Sequence, residues 1–167
     1  MDIELAKKQT RLCENIASFM LNGDEEHIEE AINDPDFDPN HFNVKFEEPL
    51  IHTLLYMTNN DKSEIQNLTM CIGHLIHHPD FDPNAVDHFN ETALTLCARR
   101  KEFVPIAKLL MVLPETDLWC ESATGLTIKD IATKYDNKIF LEELKKAENN
   151  EFEVHGIPHL RASVVAS

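Results

Sequence analysis

Closely spaced aspartates are the first residues in this chain whose type and spacing could do chemistry. Asp36 and Asp38 lie in the phrase DPDFDPN, and Asp80 and Asp82 lie in HPDFDPN, which begins 44 residues later. Two neighbouring carboxylates can act as general acid and base, or bind a cation. In a Pro-rich turn, however, Asp usually bonds its own backbone. We therefore interpret both pairs as residues that organise turns, not as a catalytic site.

Histidines offer a second kind of chemistry. His74 and His78 are four residues apart, which places them on one face of a helix, and His77 lies between them. Two such histidines could bind a metal, but no carboxylate or Cys completes a set of ligands at metal-binding spacing. A His near the end of a helix is also favoured by the helix dipole. We predict no metal, no cofactor and no catalytic residue, with a metal-dependent enzyme as a remote alternative.

Length and charge narrow the classes of function further. The 167 residues suffice for one domain with its own core, and four widely separated cysteines indicate buried, reduced thiols. The apolar runs are too short to span a bilayer and the first residues do not resemble a signal peptide, so we expect a cytoplasmic protein. The net charge is −15, of which residues 1–50 carry 13 acids and 4 bases. Such a chain should avoid nucleic acid and anionic membranes and should favour a basic protein surface.

The duplicated phrase opens a longer unit that would position side chains. After its second copy, Asp87 and Asn90 are typical of a hairpin, and Thr92 is a typical N-cap for the helix that follows. After a break near residues 99–101, a second helix with apolar residues at helical spacing is predicted to end before Pro114. The unit is therefore a hairpin, a short helix, a turn and a longer helix.

The same plan recurs 35 residues further on. Gly125 then takes the place of Asn90, and Thr127 and Asp130 form a capping box at the start of a helix. A second helix is predicted over residues 138–147.

The plan also recurs 44 residues earlier, in a longer form. There Pro49 takes the place of Ala93, since Pro is tolerated in the first turn of a helix. Nine extra residues are expected between the two helices of this unit, near residues 58–63. Upstream, residues 12–20 and 26–33 predict a helix pair that closes the N-terminal end.

These phrases resemble the ankyrin repeat family, with its D-x-N, D-x-x-G and T-P-L-H-x-A signatures at a period of about 33 residues. The matching pieces are Asp82-Pro83-Asn84, Asp87 with Asn90, Thr92-Ala93-Leu94 with Ala98, Gly125 with Thr127 and Ala132, Pro49-Leu50-Ile51-His52, and Asn22-Gly23-Asp24. The departures are Glu48 in the place of a Thr, Phe46 and Asn90 in the place of a Gly, and Lys129 in the place of a Leu.

The resemblance implies an all-α fold, an ankyrin-repeat solenoid of stacked helix-turn-helix units joined by short β-hairpins or turns. Its parts would be a capping helix pair over residues 1–33, repeats over 34–78 and 79–113, a C-terminal repeat over 114–147, and a flexible tail over 148–167.

The resemblance also implies where a partner would bind, because ankyrin-type proteins use their hairpin tips and the inner face of their short helices. The candidate partner-binding residues are Phe42, Val44, Lys45, Tyr56, Val86, His88, Phe89, Glu91, Arg99, Arg100, Lys134 and Tyr135. Phe89 is the most informative, since a turn tip normally carries polar residues. It either anchors an interface or packs on the neighbouring hairpin.

The expected function is a non-catalytic protein-interaction module, monomeric alone, that binds a partner protein with a basic surface. Two alternatives share the fold. One is an ankyrin-type inhibitor of an enzyme. The other is a bacterial effector that targets a host protein in the host cytosol, suggested by the small size of the chain and its divergent repeats.

Overall fold

The computed structural model describes residues 2–43 and 47–150, and this part of the chain is mostly helical. Its helices are α1 (Ile3–Asn22), α2 (Glu25–Ile32), α3 (Leu50–Met57), α4 (Lys62–Leu75), α5 (Ala93–Arg99), α6 (Val104–Met111), α7 (Ile128–Lys134) and α8 (Lys138–Glu148). A 3-10 turn (Lys101–Phe103) precedes α6, and two short antiparallel strands, β1 (Phe42–Asn43) and β2 (Glu48–Pro49), precede α3. The predicted predominance of helix is confirmed. Within the described ranges, none of these helices has both the length and the apolar character needed to cross a bilayer.

The N-terminal helix pair is present, and α1 starts earlier than the sequence pattern indicated. Asp2 caps α1 by accepting a hydrogen bond from the Glu4 amide. The helix ends at Gly23, whose φ of 68° lies in the left-handed region that glycine adopts without strain. Asp24 then caps α2 through the His27 amide, at 3.3 Å.

The helices contact one another in two rows. In one row, α1 contacts α3, α3 contacts α5 and α5 contacts α7; in the other, α2 contacts α4, α4 contacts α6 and α6 contacts α8. The apolar core fills the space between the rows. Its fully buried members include Ile16, Met20, Leu54, Leu68, Ile72, Leu94, Ile106, Leu110 and Phe140.

The connections that lead into α3, α5 and α7 share one backbone geometry. Each has a residue with positive φ two positions before the helix N-cap: Glu47 (56°) before Pro49, Asn90 (58°) before Thr92, and Gly125 (73°) before Thr127. The predicted caps at Thr92 and Thr127 are confirmed, the latter as a complete capping box with Asp130.

The first of these connections corrects the predicted register. Pro49 is the N-cap of α3, so it takes the place of Thr92 and not that of Ala93. The positive φ falls on Glu47, so the place expected for Phe46 was wrong; Phe46 itself lies outside the described residues. Part of the extra length lies in this connection, and the rest lies in the loop at 58–61 and in α4, which has 14 residues against eight in α6.

The repeated Asp residues organise turns, as predicted. Asp38 accepts a hydrogen bond from the amide of residue 40 at 2.9 Å, and Asp82 accepts one from the amide of residue 84 at 2.8 Å. Asp117 repeats the contact with the Trp119 amide at 2.9 Å. These carboxylates are therefore engaged in local backbone structure.

Side-chain amides join each turn to the next element along the molecule. Asn40 accepts a hydrogen bond from the Asp82 amide at 2.8 Å and donates to the Asp80 carbonyl at 2.5 Å. Asn84 accepts from the Asp117 amide at 2.8 Å and donates to the Glu115 carbonyl at 2.7 Å. On α1, Gln9 bridges the carbonyl of residue 36 and the amide of residue 38 in the same way. We call these three side chains the amide bridges.

Candidate functional site

Five of the predicted partner-binding residues line one depression of about 470 Å³. They are Tyr56, Phe89, Glu91, Arg99 and Arg100, joined there by Leu55, Leu96, Ala123 and Thr124. The depression lies between α3, α5 and the turn before α7, and we call it the groove. Residues that are distant in sequence thus meet at one surface.

Phe89 is the most exposed aromatic side chain of the groove. It is 57% exposed, and its ring lies against His88 of the same turn with 3.7 Å between the centroids. The Phe89 amide donates to Asp87 Oδ1 at 2.8 Å, which fixes the turn that carries the ring. More than half of the side chain therefore remains available for an interface.

Arg99 is held by a neighbouring carboxylate. Both terminal nitrogens of its guanidinium donate to the two carboxylate oxygens of Glu91, which is only 8% exposed. This hydrogen bonding raises the pKa of Arg99. The pair presents a fixed charge distribution at the centre of the groove.

Arg100 faces the loop between α3 and α4. Its guanidinium donates to the Thr58 carbonyl at 3.2 Å and to the Asn60 side chain, and it lies 3.8 Å from the ring centroid of Phe103. Its contacts therefore tie the end of α5 to the preceding loop, although it also lines the groove.

Tyr56 is anchored across the groove. Its hydroxyl donates to Asp87 Oδ2 at 2.8 Å, while the side chain remains about half exposed. Burial of the hydroxyl, helped by this bond, raises the pKa of Tyr56 above its ordinary value. Asp87 thus holds both Tyr56 and the turn of Phe89 in place.

Five of the other predicted residues are exposed but do not line the groove. Phe42, Val86, His88, Lys134 and Tyr135 are exposed or partly exposed at the neighbouring turns and at the end of α7, outside its lining. Val44 and Lys45 lie outside the described residues.

A second concavity was missed by sequence reasoning. It measures about 550 Å³ and lies between α1, the two strands and α3, and Tyr56 lines both it and the groove. Its lining is mainly apolar and includes Cys13, Ala17, Leu21, Leu50 and Met57 together with the acids Glu14 and Glu48. We call it the α1–α3 cleft.

Glu48 places a buried carboxyl group in the lining of the α1–α3 cleft. The residue is only 6% exposed, and burial, together with the nearby charge of Asp87, raises the pKa of its carboxyl group. The sequence did contain a signal. Glu48 precedes Tyr56 by the same eight residues that separate Glu91 from Arg99.

Trp119 was also missed. It is the most exposed aromatic side chain among the described residues, at 63%, and it lies in the turn before α7. Like Phe89, Trp119 is an exposed aromatic residue at a turn, the kind of residue that can anchor an interface.

The histidines bind separate partners. His74 Nε2 lies 2.8 Å from Glu25 Oε1, His77 Nδ1 lies 2.5 Å from the Gly73 carbonyl oxygen, and the Asp80 amide donates to His78 Nδ1 at 3.2 Å. No group of three or more His, Cys, Asp or Glu side chains within residues 2–43 and 47–150 is arranged to hold a metal ion.

Comparison with known proteins adds no family to this description. No protein-family model matches the sequence, and no curated protein matches it. The function must therefore be argued from the residues and from the geometry of the groove and the α1–α3 cleft.

Proposed function

We propose that this chain is an ankyrin-type protein-interaction module that binds a partner protein in the groove without catalysis. Support for the ankyrin architecture comes from the three connections with equivalent positive-φ residues and from the two rows of helices in contact. In such a scaffold, function resides in the side chains that the packing leaves exposed.

The observation that carries the proposal is the convergence of Tyr56, Phe89 and Arg99 on one depression. Aromatic residues and Arg are enriched in the energetically important parts of protein interfaces. Here Asp87 and Glu91 hold all three in defined positions. The partner would therefore bind a surface that is already organised.

Charge indicates the kind of partner. The acids at or beside the two concavities are Glu14, Glu48, Asp87 and Glu91. The arginines in their described lining are Arg99 and Arg100, each of which already has a partner within the chain, and His41 also lines the α1–α3 cleft. The whole chain carries a net charge of −15. A partner with a basic surface would complement both the local and the overall charge.

Quantitative affinity capture from a cell lysate tests the proposal. The bait would be the wild-type chain, the double variant Phe89→Ala, Tyr135→Ala, and the control Ile139→Ala, which truncates an exposed apolar residue of α8. We expect the double variant alone to lose proteins that the other two baits recover. Equal recovery by all three baits would place the interface elsewhere.

A further inference from the structure

Glu48 and Glu91 occupy equivalent places in the fold. Each directly follows a residue with positive φ (Glu47 and Asn90), and each directly precedes the N-cap of a helix (Pro49 and Thr92). Both residues are buried, at 6% and 8% exposure. The fold therefore places a carboxylate at the same kind of buried site twice.

The residue eight positions later decides whether that carboxylate has a cation. After Glu91 it is Arg99, which forms an ion pair with both carboxylate oxygens. After Glu48 it is Tyr56, whose hydroxyl donates to Asp87 instead. In the third connection only the acid is replaced: Leu126 stands in the place of Glu91, and the residue eight positions later is Lys134, which is exposed.

Glu48 has no counterpart of Arg99 in the described part of the chain. Among the described residues, no Lys or Arg forms an ion pair with it. The Thr53 hydroxyl lies near enough to favour the carboxylate, but its Oγ1 does not reach hydrogen-bonding geometry. A buried carboxylate without a partner is costly for a protein to keep, so its retention needs a reason.

The α1–α3 cleft supplies the space for a missing partner. It measures about 550 Å³, and Ala17, Leu21, Leu50 and Met57 give it apolar walls beside Glu48. The exposed Glu14 adds a second acid to the lining. Apolar walls leading to a buried carboxylate suit a side chain that has an alkyl stem and a cationic end, as Lys and Arg have.

We propose that the α1–α3 cleft receives a basic side chain of the partner protein, whose charge pairs with Glu48 as Arg99 pairs with Glu91. The inference rests on the proposed function only for the identity of the molecule that carries the side chain. Because Tyr56 borders both concavities, a partner bound in the groove could insert such a side chain into the adjoining cleft.

Small-molecule probes test the cleft without any partner. The full chain, labelled for NMR, would be titrated at constant ionic strength with n-pentylammonium, n-pentylguanidinium and n-pentanol. We expect saturable shifts confined to the residues that line the cleft, with binding of the better cation tighter than that of pentanol by about tenfold or more. The ranking of the two cations distinguishes Lys from Arg as the inserted residue.

Two variants and one control make the test specific. Glu48→Gln keeps the shape of the side chain and should weaken cation binding about tenfold, while the binding of pentanol stays unchanged. Tyr56→Arg should supply the cation from within the chain and also abolish probe binding. Glu142→Gln, the same chemical change on the exposed surface of α8, should bind like the wild type.

Three results would overturn the inference: no saturable binding of either cation, binding of pentanol as tight as that of the cations, or full retention of cation binding in Glu48→Gln. Each of these results leaves the groove untouched as a binding surface, because the groove is tested separately with Phe89→Ala. Failure of the cleft and failure of the proposed function are thus separate outcomes.

Discussion

At the scale of single residues, the molecule handles two equivalent buried acids in different ways. Glu91 is paired with Arg99 within the chain, whereas Glu48 lines the α1–α3 cleft and pairs with no Lys or Arg of residues 2–43 and 47–150. Breaking a buried ion pair is costly because the remaining charge loses its partner, and an acid that never had one gives a different response to pH. Each case leads to a stability measurement.

The first measurement concerns the pair itself. Arg99→Ala should lower the free energy of unfolding by about 2 kcal/mol, since it strands the carboxylate of Glu91 in a nearly buried site. Urea denaturation would measure the change. In the Glu91→Gln background the same truncation should cost clearly less, and an equal cost in both backgrounds would show that the ion pair contributes nothing. Because of this stability cost, Arg99 is a poor choice for mapping the interface.

The second measurement concerns Glu48 and pH. Its pKa in the folded chain is raised above the ordinary value of 4.5, so the folded state holds the proton more tightly than the unfolded state does. The stability gained from protonated Glu48 is complete below pH 4.5 and is lost as pH rises through the raised pKa. As pH rises from 4.5 through the raised pKa, the free energy of unfolding of the wild type should therefore fall relative to that of Glu48→Gln.

Denaturation curves collected at several pH values would show this divergence. The titratable groups near Glu48, which are Glu14, His41, Tyr56, Asp87 and His88, are present in both proteins, so their contributions largely cancel in the comparison. Glu142→Gln serves as the matched control, and its curve should run parallel to that of the wild type. If the curve of Glu48→Gln also ran parallel to that of the wild type, the proposal that Glu48 is a buried, unpaired carboxylate would be contradicted.

At the scale of elements, the amide bridges link each turn to the next one. The Asn84 side chain satisfies both the Asp117 amide and the Glu115 carbonyl, which belong to the following connection. Gln9 and Asn40 do the same for the two preceding connections. These contacts join neighbouring elements, so their loss should lower the cooperativity with which the stacked helix pairs unfold.

Truncation of one bridge tests this role. Asn84→Ala removes two hydrogen bonds and should lower the free energy of unfolding by about 2 kcal/mol. Trp119 is the control, because it occupies the equivalent position in the next connection: it lies two residues after Asp117, as Asn84 lies two residues after Asp82. Its side chain is largely exposed. Trp119→Ala should therefore change stability by less than about 0.5 kcal/mol. Equal effects in urea denaturation would mean that the bridges are not what holds successive connections together.

The helix caps and the turns could largely be predicted from the sequence, because they depend on contacts between residues that are close together in the chain. Thr92 and Thr127 cap helices through their own hydroxyls, and the Asp residues of the duplicated phrase bond amides two positions away. The register at Pro49 was mispredicted, because Pro suits the first helical turn as well as the N-cap position. The spacing of Glu48 and Tyr56 could not reveal that the Tyr56 hydroxyl bonds Asp87, an acid of another connection, because that contact depends on how the connections stack.

At the scale of the whole molecule, charge is distributed unevenly. Residues 1–50 hold 13 acids against 4 bases, whereas residues 51–100 hold 6 against 3. The exposed helix α2 carries four of these acids, at positions 25, 26, 29 and 30. Such a field would steer a basic partner toward the N-terminal half, beside the α1–α3 cleft.

Charge reversal tests this steering. Glu26→Lys, Glu29→Lys leaves Glu25 and its contact with His74 intact and should slow association with the captured partner by about tenfold at low salt. The difference should largely disappear at high salt, where charges are screened. Stopped-flow association rates would measure it, with Glu142→Lys as the control. Unchanged rates at low salt would refute steering by α2.

The identity of the captured partner would also separate an adaptor from an inhibitor. If the partner is an enzyme, its activity should be measured with and without saturating amounts of this chain. Inhibition that Phe89→Ala relieves would favour the inhibitor, and unchanged activity would favour the adaptor.

The most direct test of the central claim is the dissociation constant of the purified partner for three forms of this chain. Phe89 and Ile139 are both 57% exposed, so truncation to Ala removes an exposed apolar side chain from the groove in one variant and from α8 in the other. Binding in the groove predicts a Kd about 30-fold higher for Phe89→Ala, as for a residue worth roughly 2 kcal/mol, and a Kd within about twofold of wild type for Ile139→Ala. Unchanged affinity for Phe89→Ala, or an equal loss in both variants, would contradict it.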